Sequence, residues 1–288
     1  MRESVSEFLE VRGLRYHVRR WRGDPARRMV LLHGWMDVSA SFQFMVDALQ
    51  ADWDVIAPDW RGYGLTQWSG TDHYWFPDYL ADLDFLLDAL HPEEPVNLVG
   101  HSMGGNVGGL YAGTRPDRVR RFVNLEGFGM PATRPEQAPK RYARWMDELK
   151  HAHAWKDYAG FAALADRLQK ENRRLARGRA EFLARHWGRE DGSKVVLRSD
   201  PAHKVVNATL YRIEEARACW AAVTAPVLWV EAAESDSPAR MRLSAEDLAE
   251  RRAAFRDVTV RTIADAGHML HHDQPAKTAA LVEAFFSA

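Results

Sequence analysis

Val99-Gly100-His101-Ser102-Met103-Gly104-Gly105 joins an apolar run, Val96-Asn97-Leu98-Val99, to a stretch that opens as a helix. The heptapeptide contains Gly-x-Ser-x-Gly, a pattern with mechanical meaning when a buried strand precedes it and a helix follows it. A serine at a sharp strand-to-helix turn has a strained backbone, and the residues two before and two after it must be small. Gly100 and Gly104 supply that space, and Gly105 extends it. Such a turn lifts the Ser102 hydroxyl above a sheet. The helix behind it directs free N–H groups and a partial positive charge at the same spot.

Working outward, short apolar runs alternate with longer segments of helical period. The runs are Met29-Val30-Leu31-Leu32, Asp54-Val55-Ile56-Ala57, Val96-Asn97-Leu98-Val99 and Arg121-Phe122-Val123-Asn124-Leu125. Between them Asp78 to Leu90 carries Leu80, Leu83, Leu87 and Leu90 on one stripe, the mark of an amphipathic helix. Upstream, Phe8 to Val11 and Leu14 to Val18 flank Arg12-Gly13 and read as a hairpin. Strands that alternate with helices form a largely parallel sheet covered on both faces, so the class is α/β. The alternation stops after Leu125. From Met130 to Ala222 only helical stretches are legible, and strands return at Val227 to Val230 and Val258 to Ile263, with a last helix from Pro275 to Phe286. Ser244 and Asp247 have the spacing of a capping box. The expected organisation is a core of 1–129 and 223–288 interrupted by a helical lid of 130–222.

Composition narrows the function. The chain has 288 residues, 39 basic against 40 acidic side chains and one cysteine, Cys219. That balance leaves no electrostatic footprint for nucleic acid, and one cysteine excludes both an intrachain disulfide and a cysteine-rich zinc cluster. No apolar run approaches the ~20 residues of a membrane span, and the opening residues lack the apolar stretch of a secretory signal, so a cytoplasmic protein is expected. Neither a phosphate-binding Gly-x-x-x-x-Gly-Lys-Ser/Thr nor Gly-x-Gly-x-x-Gly occurs, and His151-x-His153 lacks further ligands at metal spacing.

The Ser102 turn, His33-Gly34-Trp35-Met36 after the first central strand and Asp59-Trp60-Arg61-Gly62-Tyr63-Gly64-Leu65-Thr66 after the next together resemble the α/β-hydrolase superfamily over almost the whole chain. Val107-Gly108-Gly109 and Met36-Asp37 resemble its serine-hydrolase-like branch in particular. The resemblance implies a Ser-His-acid triad with Ser102 as nucleophile and the backbone N–H groups of Trp35 and Met103 as oxyanion hole. It makes the Asp59 segment a structural turn. It places the base at His268, in Gly267-His268-Met269-Leu270-His271-His272-Asp273-Gln274-Pro275, between the last strand and the last helix. Imidazole suits the task because a serine hydroxyl needs a neighbouring base of pKa near 7. His271 and His272 read as packing or surface residues.

Two carboxylates compete for the acid. Asp236, in Glu231-Ala232-Ala233-Glu234-Ser235-Asp236, follows the strand after the lid, one residue later than the family's commonest spacing, and is the favoured candidate. Glu126, in Val123-Asn124-Leu125-Glu126-Gly127, ends the strand before the lid, a position that a dehalogenase-like branch uses. The implied activity is hydrolysis of a carboxylic ester of a small molecule through an acyl-enzyme, with no cofactor and no metal. Carbon–carbon bond hydrolysis, amide hydrolysis and cofactor-free perhydrolysis use the same triad. A low-turnover small-molecule receptor is the competing class. Trp35 is expected at the pocket, and the lid residues Trp145, Trp155 and Trp187 are candidates for its lining.

Overall fold

The computed structural model describes residues 1–288 except Glu93 and Ala152. Its strands are β1 (Val5–Val11), β2 (Leu14–Trp21), β3 (Asp24–Leu32), β4 (Trp53–Pro58), β5 (Val96–His101), β6 (Val119–Leu125), β7 (Gly188–Asp191), β8 (Lys194–Leu197), β9 (Val227–Ala232) and β10 (Val258–Ile263). Its helices are α1 (Gln43–Asp47), α2 (Phe76–Leu90), α3 (Met103–Thr114), α4 (Ala138–Leu149), α5 (Phe161–Glu171), α6 (Arg177–Trp187), α7 (Ile213–Ala222), α8 (Ser237–Arg240), α9 (Ala245–Ala253), α10 (Leu270–Asp273) and α11 (Pro275–Ser287).

The hairpin β1–β2 turns on Arg12 and Gly13, both with positive φ, as a two-residue loop between right-twisted strands requires. An eight-stranded sheet runs in the order β1-β2-β4-β3-β5-β6-β9-β10. β2 is antiparallel to its neighbours, and from β4 to β10 every pairing is parallel. The period-two alternation of the central strands divides the core between the two faces of the sheet. Val30, Leu32, Leu98, Phe122 and Trp229 pack against α2, α3 and α7, while Met29, Leu31, Val99, Val123, Leu228 and Val230 pack against α1 and α11. Each of these side chains is buried, so each contributes roughly 1.5–3 kcal/mol of transfer free energy. Leu83 and Leu87 of α2 join the first layer with Leu80 at its edge, and the capping box of Ser244 and Asp247 opens α9.

The insertion after β6 departs from its sequence reading in two ways. It contains strands: β7 and β8 form a short antiparallel hairpin whose turn includes Gly192 at positive φ. It also ends earlier than 222. Ile213, Ala216 and Trp220 of α7 lie in the same core layer as Val107, Tyr111 and Phe122, so α7 covers the main sheet. The helical period of 210–222 is the same for either location; only the partner of the apolar stripe differs. The remainder has a small core of its own, Leu164, Leu168, Leu175, Leu183 and Val195, closed by Phe44 from α1.

Residues of the insertion bond to loops at the carboxyl ends of the parallel strands. Trp187 Nε1 donates to Asp37 after β3 at 3.0 Å, and Gly64 after β4 donates to Arg198 O at 2.8 Å. After β10, Asn172 donates to Asp273 at 2.7 Å and Arg179 to the His272 carbonyl at 2.6 Å. No described helix is long and apolar enough to cross a membrane.

Candidate active site

Ser102 follows β5 and caps α3 with φ 52° and ψ −114°, a conformation that a non-glycine residue holds only when its surroundings over-determine it. Here Ser102 N–H donates to Leu125 O at 2.8 Å, and Asn106 N–H donates to Ser102 O at 3.0 Å. A Cβ at Gly100 would collide with the Gly104 carbonyl, and one at Gly104 with the Leu32 carbonyl. The glycines are therefore what lets strand, helix and the β3 loop meet at one point. Met36 and Glu126 also have positive φ, 59° and 58°, so three of the strained non-glycine residues gather at this site.

His268 stands between β10 and α10, with Nε2 3.0 Å from Ser102 Oγ. The loop that carries it is held at both sides. Asp273 accepts from Gly267 N–H at 2.9 Å, and His101, the residue before the serine, donates from Nε2 to the His268 carbonyl at 2.8 Å. The other ring nitrogen of His268, Nδ1, lies 3.2 Å from Glu126 Oε2. The Glu126 side chain is fully buried; Ala232 N–H donates to Oε1 at 2.7 Å, and the Ser235 hydroxyl donates to Oε2.

Asp236, the favoured acid of the sequence reading, is not brought to the imidazole. Its side chain is 70% exposed and pairs with Arg240 one turn along α8 at 3.1 Å. The reason lies in the sheet. β6 and β9 are neighbours, with Leu125 opposite Val230, so Glu126 and the 232–236 turn end side by side. Within that turn Ser235 N–H donates to Ala232 O at 3.2 Å, and the Ser235 hydroxyl, not Asp236, meets the Glu126 carboxylate. Positive φ at Glu126 turns its carboxylate inward.

Met103 follows Ser102 in the chain, and Trp35 follows Gly34 in the loop after β3. Gly34 lies so close to the serine that a Cβ there would be 3.2 Å from Ser102 Cβ and 2.9 Å from His101 Nδ1. Among the described residues, neither the Trp35 nor the Met103 N–H donates to a backbone carbonyl, which leaves both available to an oxyanion. The Trp35 ring is half-exposed and meets Trp155 of the insertion edge to face at 6.4 Å. Trp145 instead sits against His73, and Trp187 turns its N–H to Asp37. A separate cleft of about 260 Å³, lined by Thr71, His73, Trp75 and Asn207, includes none of the residues around Ser102.

The Asp59 segment is a structural turn. Asp59 accepts from Ser39 N–H at 2.6 Å and Leu65 N–H at 2.9 Å and meets the His17 ring at 2.7 Å, while Arg61 grips buried Asp82 with two bonds of 2.5 Å. Burial opposes the charge on Asp59, yet the hydrogen bonds and charge of His17 hold its carboxyl well below the usual range.

Sequence reasoning did not anticipate the polar cluster behind His268. Of the two readings for His271 and His272, packing or surface, the structure shows the first: both are buried, and with Asp37 they bring ligand-type atoms within 4.8 Å of one another. This is a donor set suited to a transition metal. The Ser41 hydroxyl lies against His272 Nε2 and 3.5 Å from His271 Nε2, so the two histidines share a hydrogen-bonding partner. Burial holds His101 and His271 far below the ordinary histidine range, His272 at about 3 and His33 at about 4, and pushes the Asp37 carboxyl up to about 7. The only signal in the sequence is the doubled histidine itself, which does not tell surface from interior.

Comparison with known proteins places this geometry in context. A sequence profile of the alpha/beta hydrolase fold matches residues 27–275. A serine hydrolase-like protein of Danio rerio is 35% identical over 140 residues, 46% of this chain and 41% of that protein, so the chain spans less than half the length of that relative. A 3-hydroxybutyrate-oligomer hydrolase of Cupriavidus necator is 29% identical over 285 residues, covering 92% of this chain and 91% of its own. Among solved structures, a thioesterase domain from the curacin biosynthetic pathway superposes with a TM-score of 0.87 over 98% of this chain and 99% of its own, at 20% identity, a likeness of fold.

Proposed function

The chain belongs to the α/β-hydrolase family, and on that premise we propose that it cleaves a carboxylic ester of a small molecule through an acyl-enzyme on Ser102, with His268 as base and Glu126 as acid. The observation that carries the reading is the continuous line of Ser102 Oγ, His268 Nε2, His268 Nδ1 and Glu126 Oε2, with steps of 3.0 and 3.2 Å across the ring. His268 takes the hydroxyl proton as Oγ attacks the carbonyl carbon, and the Trp35 and Met103 N–H groups receive the oxyanion. Collapse of the tetrahedral adduct expels the alcohol, which takes its proton from His268. A water then attacks the acyl-enzyme, giving its proton to His268, and the acid leaves as Ser102 regains its proton. Glu126 orients the ring and stabilises the imidazolium in both halves. Losing one oxyanion donor costs about 3–4 kcal/mol of transition-state stabilisation in a comparable site.

The insertion, residues 130–212, acts as a cap in this reading, since its bonds reach the loops after β3, β4 and β10 that surround Ser102. The aromatic pair Trp35 and Trp155 favours substrates with an apolar acyl or alcohol group. A panel of p-nitrophenyl esters of two to eight carbons tests the reading, together with oligomers of 3-hydroxybutyrate because of the long match to that hydrolase. Ser102→Ala should abolish turnover and labelling by a fluorophosphonate. Glu126→Gln should cut turnover by about 10⁴, as loss of a triad acid does elsewhere. Full turnover in Ser102→Ala refutes the nucleophile, and full turnover in Glu126→Gln refutes the acid.

A further inference from the structure

Ser235 lies in the turn after β9 and is partly buried beside the catalytic carboxylate. Its hydroxyl donates to Glu126 Oε2, the oxygen that faces His268 Nδ1 at 3.2 Å, while Oε1 is occupied by Ala232 N–H at 2.7 Å. An ionised carboxylate accepts only, so the Ser235 proton points to Glu126. The hydroxyl is itself aimed: Ser235 N–H donates to Ala232 O, and Ser237 N–H approaches Ser235 Oγ at 3.4 Å. Two donors therefore share one oxygen of a fully buried acid, and one of them is the catalytic imidazole.

We infer that Ser235 is a positioning residue for the reaction, acting through Glu126 on the basicity of His268. Fixing Oε2 keeps that oxygen in line with the Nδ1–H. Drawing negative charge from Oε2 weakens the carboxylate's hold on the imidazolium that forms during attack, while the other titratable rings on this side, His101 at 4.9 Å between centroids and His271 behind it, are not touched by Ser235. The inference rests on the triad reading above. It adds a residue that touches neither substrate nor the reacting atoms and that sets the pH at which the nucleophile becomes active.

The test is the pH dependence of Ser102 labelling by a fluorophosphonate, which needs no knowledge of the natural substrate. In Ser235→Ala the acid limb of the rate profile should move to higher pH by about half to one unit. Labelling at the midpoint of the wild-type limb should then slow about two- to fivefold while the high-pH plateau changes less than about threefold. Ser235→Thr keeps the hydroxyl and should return the limb to the wild-type position. Should Ser235→Ala not fold, Ser235→Cys, with a weaker donor of similar size, should shift the limb in the same direction. A limb unmoved in the folded variant overturns the inference, as does an equal shift in Ser235→Thr. Glu126→Gln separates the two layers of the argument. If it labels as fast as the wild type the triad reading fails, whereas slow labelling of Glu126→Gln beside an unshifted Ser235 variant overturns only the role of Ser235.

Discussion

Acidification from pH 7 to 5.5 should destabilise this protein. His33, His101, His271 and His272 are buried and neutral, each held below the ordinary histidine range by desolvation. In the unfolded chain each takes a proton near pH 6.5, so below that pH the unfolded state binds more protons and stability falls as pH falls. Between pH 7 and 5.5 each such histidine removes about 1.2 kcal/mol, about 5 kcal/mol for the four. Asp37 works in the opposite direction. Burial raises its carboxyl to about 7, so the folded state gains a proton as pH drops below 7, which returns about 1.5 kcal/mol by pH 5.5. These five groups together give a net loss of about 3.5 kcal/mol, a large share of an ordinary 5–15 kcal/mol, and His91, His186 and His203, which burial also holds below the ordinary histidine range, add to it. With a urea slope near 3 kcal/mol/M the unfolding midpoint should drop by about 1 M, which tryptophan fluorescence can follow at each pH. His272→Gln should flatten the dependence by about one proton. A midpoint that does not change between pH 7 and 5.5 would refute the assignment of these rings as buried and neutral.

Asp236→Asn removes only an exposed pair with Arg240, so turnover should stay within about twofold and stability within about 0.5 kcal/mol, read by ester hydrolysis and urea unfolding. Trp187→Phe takes away the donor to buried Asp37 Oδ1 and should cost about 1–3 kcal/mol, seen as a melting temperature several degrees lower. Gly104→Ala forces a methyl group into the Leu32 carbonyl at the elbow and should lower soluble yield and fluorophosphonate labelling together. Removal of residues 130–212 strips the partners from Phe44 and the β3 loop and should produce a protein that binds a hydrophobic dye and aggregates; a monomeric, soluble product would contradict the packing described.

The fold class and the turn at Ser102 were legible in the sequence because each depends largely on local pattern, and the candidate base His268 was named from the resemblance of its segment between the last strand and the last helix. A strand meeting a helix at a strained serine needs glycine on both sides within five residues: Gly100 is crowded by the Gly104 carbonyl within the turn itself, and Gly104 by the Leu32 carbonyl of the neighbouring strand. The alternation of Met29 with Val30 and of Leu31 with Leu32 likewise writes two buried faces into four residues. The partner of His268 is a different kind of fact. Glu126 and Asp236 lie 110 residues apart in sequence, and the strands before them become neighbours only when β6 pairs with β9. Which carboxylate then faces the ring depends on a positive φ at Glu126 and on a turn that closes at Ser235, neither of which residue type imposes. The same holds for α7, whose apolar stripe fits either the insertion or the main sheet, and for His271 and His272, whose burial is set by Ser41 and Asp37 more than two hundred residues away. Sequence specified the groups that a local backbone must present; the pairing of distant strand ends decided which acid, and which hydroxyl beside it, they meet.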